Sequence, residues 1–141
     1  MKSTKFFPVI CLLAIALAFS SCSDDDIDPT AKISINEGPE PGDIGGDFTG
    51  NGGSTTDTFQ WPNQSPTADY NADITASSTG TFQMIIKDND GIVVLDRSLT
   101  GNQDVDSFSG VTSSGAPGTW SVTISVQNFI GDGSFSISEG N

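Results

Sequence analysis

Apolar and polar residues alternate along two long segments of the chain. In "GTWSVTISVQNF" every second residue from Trp120 to Val126 is apolar, and the residues between them carry hydroxyl groups. In "TADYNADITA" the apolar positions run from Ala68 to Ala76. A period of two is typical of an antiparallel strand with one face in the core and the other in solvent. Helical spacing does not occur after the N-terminal apolar segment, so the pattern predicts an all-β fold.

Shorter strands are predicted from apolar runs that end at turn residues. Pro62 lacks a backbone N–H and should therefore close the strand "DTFQW". The turn "DNDG" at residues 88–91 should join a hairpin, because Asn, Asp and Gly tolerate positive φ. The runs predicted in this way are "DTFQW", "TFQMIIK", "IVVLDRSL", "VDSFSGV" and "SFSIS".

These segments predict about seven strands in residues 47–141, and therefore a single antiparallel β-sandwich, Ig-like or jelly-roll-like. A closed barrel is the alternative architecture. The segment "GTWSVTISVQNFIGDGSFSI" resembles the closing hairpin of secreted jelly-roll modules, such as the P domain of proprotein convertases and the pre-peptidase C-terminal domains. This resemblance implies a sandwich and says nothing about function.

Residues 1–21 have the features of a secretory signal peptide. Lys2 and Lys5 precede an apolar run, residues 6–19, that has no charge and is too short to span a bilayer comfortably. The segment "LAFSSC" ends at Cys22 and resembles the lipobox of bacterial lipoproteins, although Phe19 stands where that family usually has Leu or another aliphatic residue. The resemblance implies that Cys22 is acylated and becomes the mature N-terminus. The alternative is an ordinary cleaved signal that leaves Cys22 as a free thiol.

The residues after Cys22 are acidic. Ser23 followed by Asp24, Asp25 and Asp26 resembles the export signal of surface lipoproteins in Bacteroidota, which implies an outer-membrane protein facing the cell exterior. The alternative is a solvated spacer. Residues 22–46 are rich in acids, proline and glycine, so we expect a lipidated cysteine followed by a flexible, disordered tether. Within it, Ile33 and Ile35 alternate as in a short edge strand.

Charge and residue types exclude several functions. From Cys22 onward three basic residues face eighteen acidic ones, a formal charge of −15 on 120 residues. Nucleic-acid binding requires clustered Lys and Arg, so nucleic acid is not an expected partner. The sequence contains no histidine, which removes Ser-His-Asp triads and histidine-containing zinc sites. No cofactor or metal is expected.

Three weaker possibilities involve specific side chains. Asp104 and Asp106 lie two apart in a predicted strand and could form the carboxylate pair of a hydrolase. The same two acids and Asp132 fall at one end of the predicted sandwich, where Ca²⁺ could bind with backbone carbonyls. Trp61, just before a predicted loop, could stack on sugar rings. In each case an ordinary structural role is the stronger interpretation.

The sequence therefore favours a non-enzymatic, lipid-anchored β-sandwich on the outer membrane. Its expected role is that of a binding, adhesion or accessory module, with an envelope protein or a glycan as partner. The alternatives are a glycan-binding module using Trp61 and a carboxylate-dependent hydrolase.

Overall fold

The computed structural model describes residues 27–37 and 42–141, which form seven β-strands and contain no helix. No helix long and apolar enough to cross a bilayer therefore occurs in these ranges. The strands are β1 (Ala31–Glu37), β2 (Ile44–Asn63), β3 (Ala68–Ala76), β4 (Thr81–Lys87), β5 (Val93–Thr100), β6 (Ser107–Val111) and β7 (Gly118–Glu139). Every pairing between them is antiparallel.

Two long strands, β2 and β7, pair along nearly their whole length and belong to both layers of the fold. The first half of β2 and the second half of β7 form sheet I with β1, β3 and β6. The other halves form sheet II with β4 and β5. Within the described residues β5 and β6 do not pair with each other, so the strand order does not close. The predicted all-β antiparallel sandwich is confirmed.

The change from one sheet to the other takes place at a corner formed by residues 51–55 of β2 and 128–131 of β7. The register between β2 and β7 shifts there, on both sides of Gly53. Asn128, Gly52 and Gly131 have positive φ angles of 47°, 108° and 144°. A bulge adds a residue to one strand and bends it. As a result, the inward side chains of β7 change from even positions such as Val126 to odd positions such as Phe129.

The core lies between the two sheets and is rich in aromatic rings. Phe48 of sheet I stacks on Phe82 of sheet II with ring centroids 4.5 Å apart. Trp61 and Trp120 meet edge to face at 6.0 Å. Gly133 makes room for the Phe48 ring, since a Cβ on this glycine would lie less than 3 Å from it. The fully buried side chains also include Met84, Ile86, Val122, Ile124, Val126, Phe129 and Ile137.

The sandwich begins before residue 47, where the sequence analysis placed its start. Strand β1 pairs from Ala31↔Gly50 to Glu37↔Ile44, within the segment expected to be a disordered tether. Ile33 and Ile35 are half-buried against the core, which provides the apolar contact that the strand needs. The boundary at residue 47 thus falls inside β2, and β1 is the edge strand suggested by the Ile33 and Ile35 alternation.

Turns gather at two ends of the sandwich, as antiparallel alternation predicts. At the corner end, the Ser77 amide donates to the Ile130 carbonyl at 3.0 Å and the Gly101 amide to the Gly80 carbonyl at 2.8 Å. At the far end, the Gly115 amide donates to the Pro66 carbonyl at 2.8 Å. The C-terminal residues 139–141 also lie at the far end, because Ala68 pairs with Glu139.

Candidate binding surfaces and site residues

The outward side of sheet I is an acidic face made mostly of short polar side chains. In register across the strands, Asp47 and Asp73 lie on either side of Ser134. The Ser134 hydroxyl donates to Asp73 Oδ1 at 2.7 Å, and Asn36 Nδ2 donates to Asp47 Oδ2 at 3.2 Å. The face consists of Lys32, Ser34, Asn36, Gly45, Asp47, Thr49, Asp69, Asn71, Asp73, Thr75, Ser107, Ser109, Val111, Asp132, Ser134, Ser136 and Ser138.

The spacing between strands limits the electrostatic repulsion among the carboxylates of the acidic face. Asp47 and Asp73 are two strand spacings apart, or about 10 Å. That separation is close to the screening length of about 8 Å at physiological salt, so their mutual repulsion is weak. Asp47, Asp73 and Asp132 border a shallow depression of about 380 Å³. The acidic face therefore offers a broad, flat, negatively charged surface.

The outward side of sheet II is a hydroxyl face that carries few charges. Thr58 and Thr123 pair directly and their hydroxyls lie 2.9 Å apart, while those of Thr56 and Ser125 lie 3.0 Å apart. Its acid, Asp96, accepts a hydrogen bond from Gln83 Nε2 at 2.8 Å. The face consists of Thr56, Thr58, Gln60, Thr81, Gln83, Ile85, Lys87, Asp96, Ser98, Ser121, Thr123, Ser125 and Gln127. The two flat sides of the molecule thus differ in charge.

Asp104 and Asp106 line a polar cleft of about 350 Å³ at the corner end, between β3 and the loop that follows β5. They do not lie in a strand, because β6 begins at Ser107. The Asp106 carbonyl accepts the Ile74 amide at 2.8 Å, which fixes the loop against β3. Both side chains are exposed at an open rim. The strand geometry expected for a carboxylate pair is therefore not found.

Asp132 is close to this cleft but belongs to the acidic face. It pairs with Thr75 of β3, which lines the cleft, yet it contributes to the neighbouring depression. Among residues 27–37 and 42–141, no group of three His, Cys, Asp or Glu side chains is arranged to hold a metal ion. Asp104, Asp106 and Asp132 therefore do not form the carboxylate cluster that the Ca²⁺ alternative requires.

Trp61 is a core residue. Its side chain is 2% exposed and its indole Nε1 donates to the Gly42 carbonyl at 2.5 Å. Trp120 packs against it and is fully buried. Stacking on a sugar requires an open ring face, and Trp61 has none in this structure. The structural interpretation of both tryptophans is correct.

Asp88, in the turn between β4 and β5, organises the far end. Its Oδ1 accepts the amides of Asp90 at 3.0 Å and Ile92 at 2.8 Å, while Oδ2 accepts the Ala116 amide at 2.8 Å. The Ala116 amide contributes most to lowering the pKa of Asp88, those of Ile92, Asp90 and Gly91 add to the effect, and burial acts in the opposite direction. Backbone amides stabilise the charged carboxylate, so "DNDG" is a structural clamp.

Sequence reasoning recognised the "DNDG" hairpin but missed the bond to residue 116. The local signal was an Asp ahead of a tight turn, which commonly accepts amides two or more residues on. Ala116 is 28 residues away, and that contact depends on the tertiary fold.

The anchoring and export residues, Cys22 and Ser23 to Asp26, lie outside the described residues. No protein-family model, no curated protein and no solved structure matches this chain.

Proposed function

We propose that this protein is a non-catalytic, lipid-anchored β-sandwich displayed on the outer membrane, where it acts as a binding, adhesion or accessory module of an envelope assembly. Cys22 carries the acyl chains. Ser23, Asp24, Asp25 and Asp26 direct the protein to the cell exterior. It acts without a cofactor, and its partner is an envelope protein or a glycan.

The observation that carries the proposal is the order of segments at the N-terminus. A charged and then apolar leader ends at the lipobox-like "LAFSSC", the acids follow at once, and the first strand begins at Ala31. Each buried methylene of an acyl chain contributes about 0.8 kcal/mol to membrane binding, so two or more chains hold a soluble domain on a bilayer. A hydrophilic sandwich in a chain whose formal charge from Cys22 onward is −15 would otherwise have little affinity for lipid.

The arrangement of polar groups supports a binding role over a catalytic one. The carboxylates of the acidic face point outward from a flat sheet, and Asp88 already accepts three backbone amides. Every buried side-chain N or O atom in the described part of the chain has a hydrogen-bond partner. Catalytic carboxylates generally sit in a cleft that excludes water, whereas broad exposed faces suit contact with another macromolecule.

Two variants test anchoring and display separately in the native cell. Cys22→Ser removes the acylated sulfur, and we expect the protein to leave the membrane fraction. A triple variant, Asp24→Asn, Asp25→Asn and Asp26→Asn, keeps the cysteine, so it should remain in the membrane fraction but resist protease added to intact cells.

The wild-type protein should be degraded by that protease before the outer membrane is broken. Retention of Cys22→Ser in the membrane would contradict lipid anchoring. Protection of the wild-type sandwich in intact cells would contradict surface display.

A further inference from the structure

The chain joins the sandwich at a fixed point on the corner end. The Thr30 carbonyl accepts the amides of Asn51 at 3.0 Å and Gly53 at 3.2 Å, and the Thr30 hydroxyl donates to Asn51 Oδ1 at 3.1 Å. Gly53 permits this approach, because a Cβ at that position would lie 2.3 Å from the Thr30 carbonyl carbon. Thr30 is therefore held against the bend of β2, ahead of β1.

Covalent geometry limits how far Cys22 can be from this point. Thr30 follows Cys22 by eight positions, and at about 3.6 Å per position this stretch spans at most about 29 Å in any conformation. The sandwich is of similar length, since the nine residues of β3 extend about 26 Å. If Cys22 is anchored in a bilayer, the far end could reach that bilayer only if the residues between Cys22 and Thr30 were fully extended along the length of the sandwich. The corner end needs no such extension.

Exposed aliphatic side chains lie at the same end. Ile27 is 79% exposed, Val105 64% and Ile130 40%. Ile130 and Pro29 both lie beside Gly52. A Cβ at Gly52 would be 3.9 Å from the Ile130 side chain and 3.7 Å from that of Pro29. Val105 is in the loop that hydrogen-bonds β3 at Ile74. The point of attachment and these aliphatic side chains thus share one end of the molecule.

We propose that the corner end rests on the lipid surface that holds the acyl chains of Cys22. Ile27, Val105 and Ile130 contact the headgroup region, and the far end faces away from the bilayer. This inference depends on the lipid anchor of the proposed function and adds an orientation to it. Aliphatic side chains gain free energy by leaving water, and the short connection keeps them at the interface.

The far end provides an internal comparison. Ile92, Val93 and Val111 there are 62%, 51% and 58% exposed, so aliphatic exposure alone does not distinguish the ends. The two ends are distinguished by the attachment of the N-terminal segment through Thr30 at the corner end. The exposed pair beside the Asp88 clamp is consequently free to meet a partner outside the membrane.

Charge at the corner end predicts a lipid preference. Asp28, Asp104 and Asp106 stand beside the aliphatic residues, and carboxylates are repelled by anionic headgroups. Contact should therefore be closest on phosphatidylcholine, and weaker on phosphatidylglycerol at low salt. Added salt should reduce this difference because it screens exposed charges.

Fluorescent labels at matched positions test the orientation. Ile130→Cys and Ile92→Cys each exchange an exposed isoleucine, one at either end. The full-length native lipoprotein is purified with its acyl chains, labelled with an environment-sensitive maleimide dye, and reconstituted into phosphatidylcholine vesicles that contain a headgroup-attached quencher. We expect loss of emission at position 130 and unchanged emission at position 92. Equal quenching at both positions, or stronger quenching at 92, would overturn the orientation.

Two controls keep this result separate from the fate of the anchor. A mass spectrum of the same preparation reports whether Cys22 is acylated; a free thiol there defeats the proposed function itself, whereas an acylated cysteine with equal quenching defeats only the orientation. A second pair, Gln103→Cys at the corner end and Asp90→Cys at the far end, repeats the measurement at exposed polar positions. Agreement between the pairs is required, and opposite results would also overturn the proposal.

Discussion

Asp88 connects two loops that are distant in sequence. One carboxylate oxygen holds its own turn through Asp90 and Ile92, and the other holds Ala116 in the loop before β7. The Ala116 carbonyl in turn accepts the Trp120 indole N–H at 2.7 Å. Asp88, which is only 7% exposed, is in this way linked by hydrogen bonds to a fully buried tryptophan. The charge of this one residue should therefore influence the stability of the whole far end.

Replacing Asp88 by Asn should destabilise the fold in a pH-dependent way. In either orientation the new amide N–H₂ would face backbone N–H donors, that of Ala116 or those of Asp90 and Ile92, where a carboxylate oxygen now accepts. The folded pKa of Asp88 lies below its ordinary value of 3.8, so its contribution is complete above about pH 4 and is lost as pH falls through the folded pKa. Urea unfolding should show a lower free energy of unfolding for Asp88→Asn near neutral pH and a smaller difference from wild type in acid.

Asp90→Asn is the matched control, since Asp90 is exposed two residues further along the same turn. It should unfold like the wild type at either pH. An equal loss in both variants, or a difference for Asp88→Asn that does not shrink in acid, would contradict the clamp.

The two tryptophans should behave as buried emitters. Trp61 and Trp120 are 2% and 0% exposed, so their emission should be blue-shifted and little affected by acrylamide in the folded protein. Oligosaccharides should leave the spectrum unchanged because no indole face is open. Quenching of one tryptophan by a sugar would show that Trp61 can be reached and would restore the glycan alternative.

At the level of strands, sequence periodicity predicted those strands in which inward and outward side chains alternate without interruption. β3 and β4 and the first half of β7 alternate without interruption, and their predicted bounds agree closely with the structure. The long strands were not recognised as continuous because the corner changes their phase: Phe48 and Trp61 both point inward although one position is even and the other odd. The first half of β2 is rich in glycine and gives almost no alternation. This half of β2 is a strand because it pairs with β1 and β7.

The corner itself depends on Gly53. Alanine there would force its Cβ against the Thr30 backbone, and overpacking of this kind typically costs about 1–3 kcal/mol. We expect Gly53→Ala to displace Thr30 and loosen β1 ahead of global unfolding. Trypsin should then cut after Lys32 faster than in the wild type.

Thr49→Ala is a suitable comparison, because this exposed residue lies on the acidic face of the same strand. Its cleavage should match the wild type. Unchanged cleavage after Lys32 in Gly53→Ala would mean that the corner does not hold the N-terminal segment.

For the whole molecule, the sequence indicated the class of fold. The structure added the acidic face and the position at which the N-terminal segment joins the sandwich. The sandwich, the grouping of turns and the burial of Trp120 follow from local patterns. The acidic face does not, because Asp47, Asp73 and Asp132 come from three strands and meet only through register. The sandwich also begins at Ala31, leaving only eight residues between Cys22 and β1. Under the proposed lipid anchor, this geometry determines which end of the sandwich lies nearest the bilayer.

Mass spectrometry of the N-terminal peptide from protein purified out of native membranes tests the anchor most directly. A lipid-anchored protein predicts a chain that begins at Cys22 and carries both a thioether-linked diacylglycerol and the export residues that follow. A free thiol at Cys22, or a mature chain that begins at another residue, would contradict the central claim.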